Sequence, residues 1–364
     1  MSAPDSRKSL ADLYYVSLGL RPTTHGKDMP IPQHKIKRGS IVSLANHGEY
    51  IYNIHDRRQA VVTKVEKERI EVAFYEDLQL IPTALMSKCQ IVQLPCTTPF
   101  QRMLDALCQL KTLDSATHSS ALTSVLLEKK EPSLPKQLPA EDYSLFDQKL
   151  NKDQKEAVRF ALQSPEIALI HGPPGKTQTL VEIIRQLHKE KKTVLVTGPS
   201  NVFVDDLLKR VSKFKETRIV RTGHPARVAE SSFPYCLGTL VPKGDMKSYQ
   251  HDMLTSKVIS EADVVFSTLC GSGHNTLKDI HFDVTIIDEA SQASEPDCWI
   301  AILKSKKAVL AADYRKSSSN APSTKDNKTI KKGMRTSNKY SYSLFERLLD
   351  TYGDSIKRTL QIKY

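Results

Sequence analysis

The sequence predicts a doubly wound α/β domain preceded by a small β-barrel, and three observations carry that prediction. Short strand-like runs fill the first hundred residues, near-continuous apolar runs alternate with helical stretches beyond about residue 140, and a Ser-, Thr-, Pro- and Lys-rich segment lies between them. Strands without a polar face belong in a parallel sheet covered by helices on both sides. The 364 residues suffice for two or three domains with sizeable cores.

The elements follow in chain order. GSIVSLAN (Gly39 to Asn46) is a short apolar run, AVVTKVEKERIEVAF (Ala60 to Phe74) reads as two strands around the charged turn Glu66-Lys67-Glu68, and IVQL (Ile91 to Leu94) is a further strand. From Pro99 to about Leu113 the period changes: Phe100, Met103, Leu104, Leu107 and Leu110 recur at helical spacing, which predicts one amphipathic helix after the barrel. Asp114 to Asp142 reads as linker. The expected domains are therefore a barrel over 1–97, a stalk helix and linker over 98–140, and the α/β domain over 141–364. In that last domain the candidate strands are Ile167 to His171, Thr193 to Gly198, Arg218 to Arg221, Asp263 to Thr268, Asp283 to Asp288 and Ala308 to Asp313. Helices fit Thr177 to Glu190, Val204 to Phe214 and Tyr342 to Asp350. The polar, lysine-rich run Tyr314 to Ser341 lacks the apolar anchors that offset ordering entropy, so a mobile loop is expected there.

Charge narrows the partner. A net charge of +12 and a pI of about 9.2 favour a polyanion, with nucleic acid or an anionic membrane surface first in line, against the plain alternative of a soluble basic protein. The six cysteines are scattered without a Cys-x-x-Cys pair, which speaks against a zinc site or a disulfide framework and for a reducing compartment. No apolar run has signal-peptide or membrane-spanning length, so a cytoplasmic or nuclear, monomeric protein without membrane attachment is expected.

Two patterns carry chemistry. HGPPGKTQT (His171 to Thr179) lies between a strand and a helix, where helix N-terminal amides and the dipole converge on a phosphate. Read so, Lys176 reaches the β/γ-phosphates and the Thr177 hydroxyl ligands Mg²⁺; read otherwise, the stretch is a proline-glycine turn. DVTIIDEASQ closes an apolar strand on Asp288-Glu289, in the position of a carboxylate that holds Mg²⁺ followed by one that orients or deprotonates water. Alone, the pair reads equally as solvated acids at a helix start. Together, at the ends of two parallel strands, the motifs point to a nucleotide site with Mg²⁺.

With these motifs in place, the chain from about residue 8 onward resembles the superfamily 1 helicases of the Upf1-like group. KLNKDQKEAV (Lys149 to Val158) is similar to the family's Q motif, HGPPGKTQT to HGPPGTGKTTT, GPSNVFVDDLLKRV (Gly198 to Val211) to motif Ia, RTGHPARV (Arg221 to Val228) to the stretch after it, STLCGS (Ser267 to Ser272) to motif Ic, and DEASQASEP (Asp288 to Pro296) to motif II. TKVEKERIEVAFYED (Thr63 to Asp77) sits where the family's inserted barrel has its hairpin. The resemblance implies a RecA-like P-loop NTPase domain and an ATP-dependent 5′ to 3′ motor on single-stranded RNA or DNA. It implies that Gln154 reads adenine and that Gly172, Gly175, Lys176, Thr177 and Gln178 line the nucleotide. Lys176, Asp288 and Glu289 are then catalytic, Thr177 and Asp288 hold Mg²⁺, and Ser200, Asn201 and Thr268 grip phosphates, although Ser200-Asn201 reads equally as a helix N-cap.

Three departures from the family pattern set a rival beside the motor. The loop lacks two residues, roughly 7 Å of contour. Motif III, Gly-Asp-x-x-Gln-Leu-Pro-Pro in the family, reads Ala312-Asp313-Tyr314-Arg315-Lys316-Ser317-Ser318-Ser319, with lysine for the phosphate-sensing glutamine. The sequence ends at Leu360 to Tyr364, where the family continues into a second RecA-like domain that supplies arginine fingers worth about 10³ to 10⁵ in rate in other phosphoryl-transfer enzymes. The rival is a catalytically inactive pseudo-helicase that works as a nucleic-acid-binding module, and it is the expectation for the isolated polypeptide. A GTPase switch is disfavoured because no Asn-Lys-x-Asp motif follows the loop.

Overall fold

The computed structural model describes residues 7–8, 14–20, 29–45, 59–74, 90–94, 96–115, 120–135, 144–172, 176–242, 248–313 and 342–361. These fall into two compact units, 1–98 with 223–254, and 99–222 with 255–364. Residues 223–254, which the sequence assigns to the α/β domain, thus group with the N-terminal strands. The lysine-rich run 314–341 lies outside the described residues.

The first unit is an antiparallel six-stranded sheet of β1 (Arg7–Lys8), β2 (Tyr14–Gly19), β3 (Ile41–Ala45), β4 (Gln59–Val65), β5 (Arg69–Phe74) and β6 (Gln90–Gln93), in the order β1-β2-β5-β4-β3-β6. Period-two alternation puts Val16, Leu18, Val42, Leu44, Ala60, Val62, Ile70, Val72 and Phe74 into one core. The charged turn closes the β4–β5 hairpin, with Glu66 N donating to Arg69 O at 2.8 Å. On the other face Val61 and Ala73 pack with Ala226, which is how part of the 223–254 segment attaches. Strands β1 and β2 were not expected, since polar Arg7-Lys8 and the mixed run YYVSLG show too few alternations to stand out.

The second unit holds helices α1 (Thr98–Ser115), α2 (Ala121–Leu126), α3 (Lys152–Gln163), α4 (Lys176–Lys189), α5 (Asn201–Val211), α6 (Leu269–Ser272), α7 (Glu295–Ile302) and α8 (Leu344–Tyr352). Its strands are β7 (Ile167–His171), β8 (Val194–Gly198), β9 (Ile219–Arg221), β10 (Val264–Thr268), β11 (Phe282–Ile287), β12 (Ser305–Ala312) and β13 (Lys357–Thr359). They form one seven-stranded parallel sheet in the order β13-β7-β12-β11-β8-β10-β9. Ile167 to Ile170, Val194 to Val196, Val264 to Phe266 and Ala308 to Ala312 are all buried, as both-face coverage requires.

Three local differences from expectation have simple causes. Helix α2 interrupts the predicted linker: Ser120 caps it by accepting Thr123 N, and Leu122, Val125 and Leu126 are fully buried, but six residues give too short a period to read. The α1 stripe is only partly used, with Leu110 buried and Phe100 63% exposed; α1 is tied to its unit instead by Arg102 Nη1 donating to Cys270 O at 2.8 Å. Strand β13 is a polar edge strand whose Arg358 stacks 3.8 Å above the Phe160 ring, so hydrophobic patterning does not reveal it.

Candidate functional site

Because every strand of the second sheet runs in one direction, all its C-terminal ends lie along one edge. Pairing of Ala312 with His171, of Ile287 with Thr197 and of Thr268 with Gly198 brings the C-terminal ends of β7, β8, β10, β11 and β12 to that edge. Helices α4 and α5 start there as well, so amide donors and helix dipoles point at the same place.

Lys176 is the first residue of α4 and is 5% exposed. Its Nζ donates to Glu289 Oε1 at 2.8 Å and lies 3.9 Å from Asp288 Oδ1. The carboxylates are held in turn: Asp288 Oδ1 accepts Glu289 N at 2.9 Å, and Glu289 Oε2 accepts Gln292 Nε2 at 2.9 Å. Glu289 adopts a left-handed backbone (φ 53°, ψ 40°), uncommon for a side-chain-bearing residue, which turns the chain sharply at the end of β11. Burial pushes the Asp288 carboxyl above its ordinary range; Lys176 opposes that rise and Glu289 adds to it. Two carboxylates share one lysine in a nearly closed corner.

The other nucleotide candidates surround this corner unevenly. Gly172 N donates to Ala312 O at 3.2 Å, and a Cβ at 172 would come within 2.6 Å of Leu360 Cβ, so only glycine fits there. Residues 173–175, Gly175 among them, lie outside the described residues. Thr177 is half-buried at the second position of α4, while Gln178 is exposed and borders a groove of about 330 Å³. In that groove the Arg185 guanidinium sits 4.1 Å from the Phe146 ring and 3.8 Å from the Phe214 ring. Gln154 is in the capping box of α3: its Oε1 accepts Asn151 N, and its own N donates to Asn151 Oδ1, both at 2.9 Å.

The phosphate-gripping candidates occupy the next loops along the edge. Ser200 is the N-cap residue of α5, yet its hydroxyl makes no capping bond. Asn201 Oδ1 accepts Arg221 Nη2 at 2.6 Å. Arg221 has no solvent exposure; its Nε donates to Asp205 Oδ1 at 2.9 Å and its Nη1 to Thr222 O. Thr268 caps α6 by accepting Gly271 N at 3.0 Å, and a Cβ at 271 would fall 2.6 Å from Ser267 Oγ. Sequence reasoning did not single out Arg221 or Asp205. The available signal was a lone arginine closing the otherwise apolar run Ile219-Val220, a position that demands a buried counter-charge.

This arrangement suits a polyphosphate with a divalent cation. The corner supplies an ammonium donor and two carboxylates, and the excess of negative charge around one lysine suits an added cation. A family model described as an AAA domain matches residues 149–253 and 243–315. The DNA polymerase alpha-associated DNA helicase A of Schizosaccharomyces pombe is 33% identical over 349 residues, covering 84% of this chain and 50% of that protein. The DNA-binding protein SMUBP-2 of Mesocricetus auratus is 32% identical over 394 residues, covering 94% of this chain and 38% of its own length. The ATP-dependent helicase MJ0104 of Methanocaldococcus jannaschii is 27% identical over 430 residues, covering 96% of this chain and 60% of that protein. The chain therefore spans about half the length of the curated relatives it matches.

Proposed function

The chain belongs to the Upf1-like group of superfamily 1 helicases, and from that premise we propose that it is the nucleotide-binding and strand-gripping part of an ATP-dependent nucleic-acid motor. The observation that supports this most is the buried Lys176–Asp288–Glu289 corner at the ends of β7 and β11. Bound Mg²⁺-ATP would supply a phosphoryl group for transfer to water and the charge that offsets the two carboxylates. Lys176 would exchange its Glu289 partner for a phosphate oxygen. The Thr177 hydroxyl and the Asp288 carboxylate would be the oxygen donors for the ion, and Glu289, anchored through Gln292, would then be free to take a proton from the attacking water. The antiparallel unit is read as the family's barrel and the parallel unit as a RecA-like domain.

The proposed strand is single-stranded RNA or DNA, held through phosphates by Ser200, Asn201 and Thr268 without sequence preference. Among the described residues no helix is long and apolar enough to cross a membrane, and a cytoplasmic or nuclear setting fits a nucleic-acid partner. The loop two residues shorter than the family's favours a second reading, a nucleic-acid-binding module without turnover. Measuring ATP hydrolysis with and without single-stranded nucleic acid separates the two. Clear stimulated turnover removes the module; none, with tight and salt-sensitive strand binding, removes the motor.

A further inference from the structure

The carboxamide of Asn201 is a proposed strand contact whose orientation is fixed by a fully buried arginine. Arginine has donors and no acceptor, so the group it meets at 2.6 Å must be the amide oxygen. Arg221 cannot swing away to release it, because it is fully buried and its other donors are committed to Asp205, itself 5% exposed, and to the Thr222 carbonyl. The amide nitrogen of Asn201 therefore points the other way. It makes no hydrogen bond among the described residues and is not sealed from solvent, and the neighbouring Ser200 hydroxyl is likewise unspent on the helix cap.

We propose that Arg221 is a positioning residue for strand binding, locking Asn201 so that it presents N–H donors, and never its oxygen, to a nucleic-acid phosphate. This rests on the reading of Asn201 as a strand contact. An unrestrained carboxamide would have to be turned donors-outward and held there as the strand binds, and that ordering loss would come out of binding. The buried Arg221–Asp205 pair removes that freedom before the strand arrives, which is the preorganisation a non-specific grip requires.

The test uses the full chain, a labelled single-stranded oligonucleotide at fixed salt, and thermal midpoints measured in parallel. Asn201→Asp keeps the shape and gives Arg221 a carboxylate, so the midpoint should hold or rise while affinity falls roughly tenfold or more, since donors are exchanged for a negative charge. Arg221→Lys, which keeps the charge and loses the fork, should weaken binding by the same factor as Asn201→Ala, and the double variant should be no worse than either single one. Wild-type affinity for Asn201→Asp, or losses that multiply in the double variant, would overturn the orienting role. If Asn201→Ala leaves affinity unchanged, it is the strand-contact reading that fails, and the orienting role falls with it. Should Arg221→Lys not fold, the Asn201→Asp result decides alone.

Discussion

Two cation–carboxylate clusters sit along the same edge of the parallel sheet, and they are built for opposite purposes. Among the described residues the Lys176 ammonium donates one hydrogen bond, to Glu289, with a second carboxylate 3.9 Å away. Arg221 is completely enclosed and donates to Asp205, Asn201 and Thr222 at once. A lysine is a compact charge on a flexible stem that can trade one oxygen for another, whereas the guanidinium fork fixes several partners in one plane. On the proposed function, the first cluster is a contact to be exchanged for a ligand and the second is scaffold that shapes a contact. Burial alone does not distinguish them, since both cations are nearly closed off from solvent. The number of committed donors does.

The strongest way to break this contrast is Arg221→Met. It takes away the buried guanidinium that Asp205 and Asn201 accept from and should cost about 3 to 5 kcal/mol in a denaturant titration. A loss below about 1 kcal/mol would mean the pair is not the scaffold it resembles. Next in size, Lys176→Ala should weaken ATP binding about a hundredfold in a fluorescent-nucleotide titration and leave strand affinity within about twofold, because its lost contact belongs to the ligand.

Asp288→Asn probes the cost of the exchangeable corner. The Asp288 carboxyl is raised in the folded state, so folding favours its neutral form. That contribution is complete below the ordinary value of 3.8 and is lost as pH rises through the folded value. At pH 7 the ionised side chain is a burden, and the asparagine variant should melt slightly higher than the wild type, with the gain vanishing as pH approaches 3.8. An unchanged or lower midpoint at pH 7 would show that Lys176 fully compensates the burial. The smallest effect is expected from inserting Thr-Gly between Gly175 and Lys176, which restores the family spacing and should tighten ATP binding severalfold. No gain would show that the short loop already meets the phosphate, or that the obstacle to binding lies elsewhere.

Much of the site was legible as short strings. The strand before His171, the helix after Lys176 and the Asp288-Glu289 pair are local patterns, and each is found where the sequence puts it. Gln154 was read as an adenine contact, but its side chain is also spent on capping α3, a use that the same string Asn-x-x-Gln encodes and that motif matching passed over. Ser200 shows the reverse: the sequence allows a cap, and the hydroxyl makes none. Helix α2 and strand β13 escaped because six residues and three residues are shorter than the periods that reveal them.

By itself the sequence determined the alternation of buried strands and helices and the position of the stretch proposed to hold phosphate, because both arise from neighbours in the chain through side-chain period and turn chemistry. Only the tertiary structure decided which residues meet. The strand order carries Lys176 to Glu289 across 113 positions, turns Arg221 inward onto Asn201 and Asp205, and groups 223–254 with the antiparallel sheet. No local pattern encodes such pairings, since each depends on which strands the whole parallel sheet places side by side.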